Sequence, residues 1–208
     1  MPFNDEICKL VIENIELLEE APSIIKEVEK KIFNAINKKF ETFFSNRNGW
    51  KQDGAYTYYD DDGGETTFSS DSWPTDKVDE GYFIYYQFRG ESSSKSSYKL
   101  SILNGKIPNA KYGIFFELDL SSLGLTNQQW KKILREKHQA KPQLAELGVF
   151  LEGLTLCIPI ILDAKLIAGE YPDFDVCLKP VDDALDTLMK AHPYIDEIVQ
   201  ETPKINVA

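Results

Sequence analysis

The feature that most constrains the fold is a change in the spacing of hydrophobic residues near residue 50. Up to residue 46 apolar residues recur at helical spacing, as in the series Ile25, Val28, Ile32, Ile36 and Phe40. From Trp50 to Leu120 they alternate with polar residues, which is typical of strands with one buried face. Residues 126–208 mix helical spacing with one long apolar run. Because helices and strands are segregated along the chain, the sequence predicts an α+β fold.

The N-terminal segment, residues 1–46, predicts two helices. Asn4 can cap the first helix, and Asp5 and Glu6 suit its positive end. Pro22 is expected to break the pattern, and Ser23 can cap the second helix. The apolar stripe of the second helix is expected to face the core.

The middle segment, residues 50–120, predicts an antiparallel meander, because its connections are too short for crossover helices. The stretch YYDDDGGETT, Tyr58 to Thr67, is interpreted as a hairpin whose turn is Asp62-Gly63. The stretch GYFIYYQF predicts a strand, and YKLSIL, residues 98–103, is expected to be the returning strand. Asn104-Gly105 would then form the next hairpin turn.

The last segment, residues 126–208, predicts helix, strand and helix. Thr126 and Gln129 form a capping box, and Pro142 either ends that helix or starts another through PQLAELGVFLEG. The run LTLCIPIIL predicts a strand that Pro159 moves towards an edge or a bulge. FDVCL is a short strand candidate, and a final helix from about Pro180 is expected to kink or break at Pro193. The length of 208 residues fits one domain, residues 1–208.

The composition favours a cytoplasmic protein, which could be cellular or could be viral and act in the cytoplasm of the host. The chain has no run of about 18 apolar residues, so no transmembrane helix is predicted. Acidic residues occupy the N-terminal region where a signal peptide is basic. The cysteines, Cys8, Cys157 and Cys177, are odd in number and widely spaced, so we expect reduced and mostly buried thiols.

Charge is distributed unevenly around the net value of −11. Residues 1–80 carry 18 acids and 9 bases (−9), residues 81–147 carry 5 and 10 (+5), and residues 148–208 carry 11 and 4 (−7). An acidic chain without a catalytic motif favours a protein-binding module whose partner has a basic surface. Bacterial or phage inhibitors, immunity proteins and anti-defence proteins are the expected class. The expected contact residues are Asp60, Asp61, Asp62 and Asp71.

The sequence contains none of the common motifs for binding a cofactor or a metal. The acidic loop lacks the first and last ligands of a calcium EF-hand. The chain has no P-loop and no G-x-G-x-x-G, and its histidines and cysteines lack zinc spacing. No cofactor and no metal are therefore expected. The alternative of a metal-dependent phosphodiesterase or nuclease depends on the D-x-K of Asp163 and Lys165, with Glu117 or Asp119 as a further carboxylate.

A basic helix near residues 131–141 provides a second alternative. Lys131, Lys132 and Arg135 could contact nucleic-acid phosphates, since such contacts are made by Lys and Arg. The competing interpretation is a solvated helix face whose charges pair with the acidic ends of the chain.

Overall fold

The structure is a computed structural model, and it confirms the α+β fold. It combines N-terminal helices, an antiparallel sheet and a C-terminal helix that packs on the sheet. The residues that the structure describes are 4–45, 47–53, 66–73, 84–92, 99–107, 109–121 and 123–202.

The described strands form one six-stranded antiparallel sheet in the order β1-β2-β3-β4-β6-β5. The predicted meander is therefore correct for the first four strands, and a C-terminal hairpin extends the sheet. The strands are β1 (Trp50–Asp53), β2 (Thr66–Ser70), β3 (Ile84–Ser92), β4 (Ala110–Leu118), β5 (Phe150–Glu152) and β6 (Thr155–Ile160). The tip of the hairpin predicted for Tyr58 to Thr67 lies outside the described residues.

The helices lie before, between and after the strands. None of those described is long and apolar enough to span a bilayer. They are α1 (Asp5–Glu13), α2 (Ile15–Ser45), α3 (Lys99–Leu103), α4 (Asn127–Ala140), α5 (Pro142–Glu146), α6 (Ala164–Glu170) and α7 (Lys179–Gln200).

The core fills the space between one face of the sheet and helices α2 and α7. This face carries the alternate residues of β3 that the sequence pattern predicts to be buried. Tyr86 and Phe88, two positions apart, are 1% and 0% exposed. The ring centroids of Phe40 in α2 and Phe88 are 5.2 Å apart, and those of Phe33 and Tyr112 are 5.3 Å apart. The C-terminal half of the α2 stripe therefore faces the core, as predicted.

Neither Pro22 nor Pro193 breaks its helix, so the break predicted at Pro22 is wrong, and of the kink or break predicted at Pro193 the break does not occur. The helix break lies at Asn14, whose ψ of 25° departs from helical values, and α2 continues through Pro22. Helix α7 likewise continues through Pro193. Both prolines are exposed, so water can satisfy the carbonyl that each leaves without a donor. The buried residues of α7 flank Pro193 on both sides, and their packing offsets its cost.

Three further local predictions differ from the structure. The expected strand YKLSIL contains helix α3, because Glu29 accepts a hydrogen bond from the backbone N of Leu100 at its first turn. Gly105, with φ of 68°, ends this helix rather than a hairpin. Phe150–Glu152 is strand β5 rather than part of a helix, and residues 174–178 form no strand.

The prediction that Pro159 marks an edge is half right. Strand β6 lies between β4 and β5, with Pro159 opposite Gly113 of β4. The paired residues of β5 reach only Cys157, so at Pro159 the strand has a paired neighbour on one side. A proline, which cannot donate to the ladder, is tolerated there.

Candidate protein-docking surface

The N-terminal arm, defined here as residues 4–24, is a helical segment made of α1 and the start of α2. Every residue from Asn4 to Glu20 is exposed, and α1 has no buried residue. The first buried residue of α2 is Glu29, which follows Ile15 by 14 positions, or about 20 Å at 1.5 Å per residue. The arm therefore presents its side chains to solvent.

Local sequence explains why the arm is helical. Asn4 accepts a hydrogen bond from the backbone N of Glu6, as predicted for the cap, at 3.0 Å. Asp5 and Glu6 lie at the positive end of the helix dipole. At the break, Asn14 donates from its side-chain amide to the carbonyl oxygen of Leu10 at 2.8 Å. Helix resumes directly, because the N of Leu18 bonds the carbonyl oxygen of Asn14.

The arm stripe is a set of large aliphatic side chains exposed on the arm at helical spacing. Their exposed fractions run from 42% for Val11 to 62% for Leu10. A further aliphatic residue, Ile12, is 72% exposed and lies three residues before Ile15, at the edge of the stripe. The stripe consists of Ile7, Leu10, Val11, Ile15, Leu17, Leu18 and Ile24.

Within α2, after the break at Asn14, the stripe continues into the face of the helix that packs on the sheet. Leu18, Ile25 and Ile32 are spaced by seven residues, and their environments change from exposed through half-buried to fully buried. The same helix face thus packs in the core at one end and meets solvent at the other. Such a contiguous apolar surface marks an interaction site more often than scattered single side chains do.

The arm is also strongly acidic. Residues 4–20 contain six acids (Asp5, Glu6, Glu13, Glu16, Glu19 and Glu20) and one base, Lys9, for a net charge of −5. All of these side chains are exposed. An amphipathic helix that binds lipid surfaces carries Lys and Arg beside its apolar face, so this charge favours a protein over an anionic membrane.

The acidic contact residues predicted from the sequence are only partly described. Asp60, Asp61 and Asp62 lie outside the described residues. Asp71 is exposed just after β2, with a carboxylate oxygen 4.0 Å from the Nζ of Lys51. Its role in binding a partner stays a prediction.

The four residues of the nuclease hypothesis do not converge. Asp163 caps α6 by accepting from the backbone N of Lys165 at 2.7 Å. Asp119 instead accepts from the N and Oγ of Ser121, and Glu117 pairs with Arg89 at 2.7 Å. In the ladder of β4 and β6, Glu117 lies beside the start of β6, whereas Asp163 follows its end, about 17 Å or more away at 3.3 Å per residue. These residues therefore do not form the metal site that the nuclease hypothesis requires.

The basic helix near residues 131–141 divides into two parts. Lys137 pairs with Glu201 at 2.7 Å, and Lys141 pairs with Glu197 of α7. The hydrogen bond from Lys137 lowers the pKa of the Glu201 carboxyl. These two lysines thus match the expected pairing with the acidic C-terminal segment. An exposed basic patch remains on α4, formed by Lys131, Lys132 and Arg135, with the Nζ of Lys132 4.0 Å from a carboxylate oxygen of Glu136.

A polar cluster that sequence reasoning missed joins α7 to the sheet. Tyr86 Oη lies 3.0 Å from Nδ1 of His192, and Trp73 donates from Nε1 to Asp196 at 2.7 Å. Burial lowers the pKa of His192, an effect that the nearby Asp196 carboxylate opposes. In the sequence His192 stands out only as a histidine without zinc spacing. The one signal in the sequence was the i, i+4 spacing of His192 and Asp196, which places both side chains on one helix face.

The cysteines and acids form no metal centre in the described part of the chain, where no group of three or more His, Cys, Asp or Glu side chains could hold an ion. Cys8 is exposed on α1, which corrects the expectation for that residue, whereas Cys157 and Cys177 are buried as expected. Burial raises the pKa of the Cys157 thiol to about 12, so this cysteine is a poor nucleophile.

Comparisons with protein-family models, with curated proteins and with solved structures find no match for this chain.

Proposed function

We propose that this protein is a protein-interaction module that docks through its N-terminal arm. The observation that carries the proposal is the arm stripe, in which seven large aliphatic side chains are each at least 42% exposed. The proposal keeps the protein-binding role predicted from charge and moves the main contact from the acidic loop to the arm.

Energetics support an interface at the arm. A buried Leu or Ile side chain contributes about 1.5–3 kcal/mol relative to an exposed one. Because the stripe residues are roughly half exposed, a partner that covers them would gain several such contributions. A short helix without tertiary packing is also only marginally stable in water, so a partner would stabilise the arm itself.

The negative charge of the arm favours a partner with a basic surface. The arm has a net charge of −5 over residues 4–20, and the whole chain has −11. A partner with Lys and Arg around an apolar site would be attracted over distance and would associate faster at low salt. An inhibitor, immunity protein or anti-defence protein directed at a basic target would use a surface of this kind.

Affinity capture from the source cells, or from host cells if the source is viral, tests this function. The bait is the full chain in three forms: unmodified, with Val11→Lys and Leu18→Lys in the stripe, and with Ser23→Lys and Gln139→Lys as the control. Each pair of substitutions adds the same charge at exposed positions, but only the first pair lies on the stripe.

The expected result is a protein retained by the unmodified and control chains and lost with the stripe variant. The retained protein must then bind the purified chain directly and must bind more weakly at high salt. Equal retention of the same proteins by all three chains would refute docking through the arm.

A further inference from the structure

The polar cluster between α7 and the sheet determines which ring nitrogen of His192 carries a proton. Tyr86 Oη lies 3.0 Å from Nδ1 of His192, and the Tyr86 side chain is 1% exposed. Burial raises the pKa of the Tyr86 hydroxyl well above its usual range, so this hydroxyl keeps its proton. Within the described residues, Nδ1 is the one hydrogen-bond partner of this hydroxyl. Because a buried donor without an acceptor is costly, Tyr86 donates to Nδ1, and the neutral His192 ring carries its proton on Nε2.

Aromatic rings from three parts of the chain enclose the His192 imidazole. Its ring centroid lies 4.7 Å from that of Trp50 in β1, 5.3 Å from that of Trp73 after β2 and 6.0 Å from that of Tyr86 in β3. Of the groups described around the ring, those that ionise are the Tyr86 hydroxyl on β3 and the Asp196 carboxylate on α7. The ring is therefore packed mostly against apolar surface, where a neutral imidazole is favoured over a charged one.

We propose that this cluster is a pH-sensitive contact, which packs α7 tightly on the sheet while His192 is neutral and loosens when His192 is protonated. A proton added to the neutral ring goes to Nδ1, since Nε2 already carries one. Nδ1 then becomes a donor that faces the Tyr86 hydroxyl, whose own proton loses its acceptor. The buried hydroxyl or the charged ring has to reach water to recover a partner, so the packing around the ring opens. None of these side chains belongs to the arm, so the contact works independently of docking.

The neighbouring carboxylate opposes this effect without cancelling it. Asp196 attracts a protonated ring, but its Oδ1 already accepts from Nε1 of Trp73 at 2.7 Å and from Oγ of Ser72 at 3.4 Å. Burial has the larger effect, and it places the pKa of His192 below the ordinary value of 6.5. The contact should therefore be complete above pH 6.5 and be lost as the pH falls through the folded-state pKa. Between these two values, the equilibrium constant for opening should rise about tenfold for each pH unit.

Ion pairs near the end of α7 limit the opening to the packing around His192. Lys137 pairs with Glu201 at 2.7 Å, and Lys141 pairs with Glu197. The hydrogen bond from Lys137 lowers the pKa of the Glu201 carboxyl below its ordinary value of 4.5, which favours the charged pair in acid. The end of α7 should therefore stay attached to α4 while the contact around His192 loosens.

Nuclear magnetic resonance of the full chain with isotope-labelled histidine tests the contact, because the shifts of the imidazole nitrogens give the tautomer and the pKa of each ring. The chain has two histidines, so His138→Gln assigns the signals and serves as the matched control. Above pH 6.5, His192 should carry its proton on Nε2, and its pKa should lie below 6.5. Tyr86→Phe keeps the ring and removes the hydroxyl. The pKa of His192 should rise in this variant, because the neutral ring loses a donor.

Tryptophan fluorescence of the same chains reports the opening, since the rings of Trp50 and Trp73 pack beside the imidazole. The unmodified and His138→Gln chains should show a reversible change whose midpoint matches the pKa of His192. His192→Gln should show no such change.

Three results would overturn the proposal. A proton on Nδ1 of neutral His192 would contradict the donor role of Tyr86. A pKa of 6.5 or higher for His192, which attraction of a charged ring by Trp50 and Trp73 would produce, would reverse the direction of the effect. A fluorescence change that follows His138, or none while His192 is protonated, would show that the packing does not respond. If His192→Gln does not fold, the tautomer and the pKa in the unmodified and Tyr86→Phe chains decide the question.

Discussion

Leu18 and Ile32 lie on the same face of α2, and replacing each with alanine tests where the folded body ends. They are 14 residues apart on α2, or about 21 Å along its axis. Leu18 is 44% exposed, whereas Ile32 is 0% exposed and belongs to the core. The two substitutions remove similar amounts of aliphatic side chain, so their difference reports the environment of each position.

The expected magnitudes follow from burial. Ile32→Ala leaves a cavity between α2 and the sheet, and such substitutions reduce the free energy of unfolding by about 2–5 kcal/mol. Leu18→Ala removes atoms that are already partly in water from an exposed helix where alanine is favourable. Its effect should therefore stay within about 0.5 kcal/mol.

Urea unfolding followed by tryptophan fluorescence measures both effects, because Trp73 and Trp130 are buried in the body. For an m-value of about 2 kcal/mol/M, a loss of 3 kcal/mol lowers the unfolding midpoint by about 1.5 M. Leu18→Ala should leave the midpoint unchanged.

A large effect of Leu18→Ala would contradict this reasoning. It would mean that the start of α2 packs on the body of its own chain, leaving the stripe unavailable to any partner. A negligible effect of Ile32→Ala would contradict the assignment of this residue to the core.

Two other expectations concern His192 and the basic patch on α4. Burial lowers the folded-state pKa of His192 below its ordinary value of 6.5, so the unfolded chain takes up the proton first. The contribution of His192 to the free energy of unfolding should therefore be complete above pH 6.5 and should fall as the pH drops towards the folded-state pKa. Urea titrations at several pH values should show this loss in the unmodified chain and not in His192→Gln, and parallel curves for the two chains would refute it. For the basic patch, nucleic-acid binding is measured by fluorescence anisotropy with a labelled DNA duplex. Binding should weaken at high salt, and replacing the three basic side chains of the patch with alanine should remove about three phosphate contacts. Binding that is unchanged by these substitutions or by salt would rule out this site; the substitutions are Lys131→Ala, Lys132→Ala and Arg135→Ala.

Strong local patterns in the sequence predicted several elements correctly. The capping box of Thr126 and Gln129 begins α4, and the alternation in GYFIYYQF gives β3 one buried face. In both cases neighbouring residues supply the decisive hydrogen bonds or alternation, so a short window is sufficient. The antiparallel order of the first four strands was predicted correctly, but the argument from short connections does not explain it, because residues 93–109 join β3 to β4 and include helix α3.

Elements that depend on distant partners were not predictable in this way. The stretch YKLSIL has the composition of a strand, but Glu29, 71 residues away from Leu100, supplies the acceptor at the first turn of α3. Lys141 is 9% exposed on account of its position against α7, where Glu197 and Glu201 balance its charge. A sequence window that contains only one partner cannot distinguish a paired lysine from a free one.

The sequence by itself determined that α2 carries a continuous apolar stripe, because the spacing of Leu18, Ile25 and Ile32 requires one helix face. Only the tertiary structure decided which part of that stripe is core and which part is surface. The sheet and α7 cover the helix from Glu29 onwards, and nothing in the periodicity marks that point. The hydrophobic effect acts equally on both halves, so the half that the body leaves uncovered is where we expect a partner.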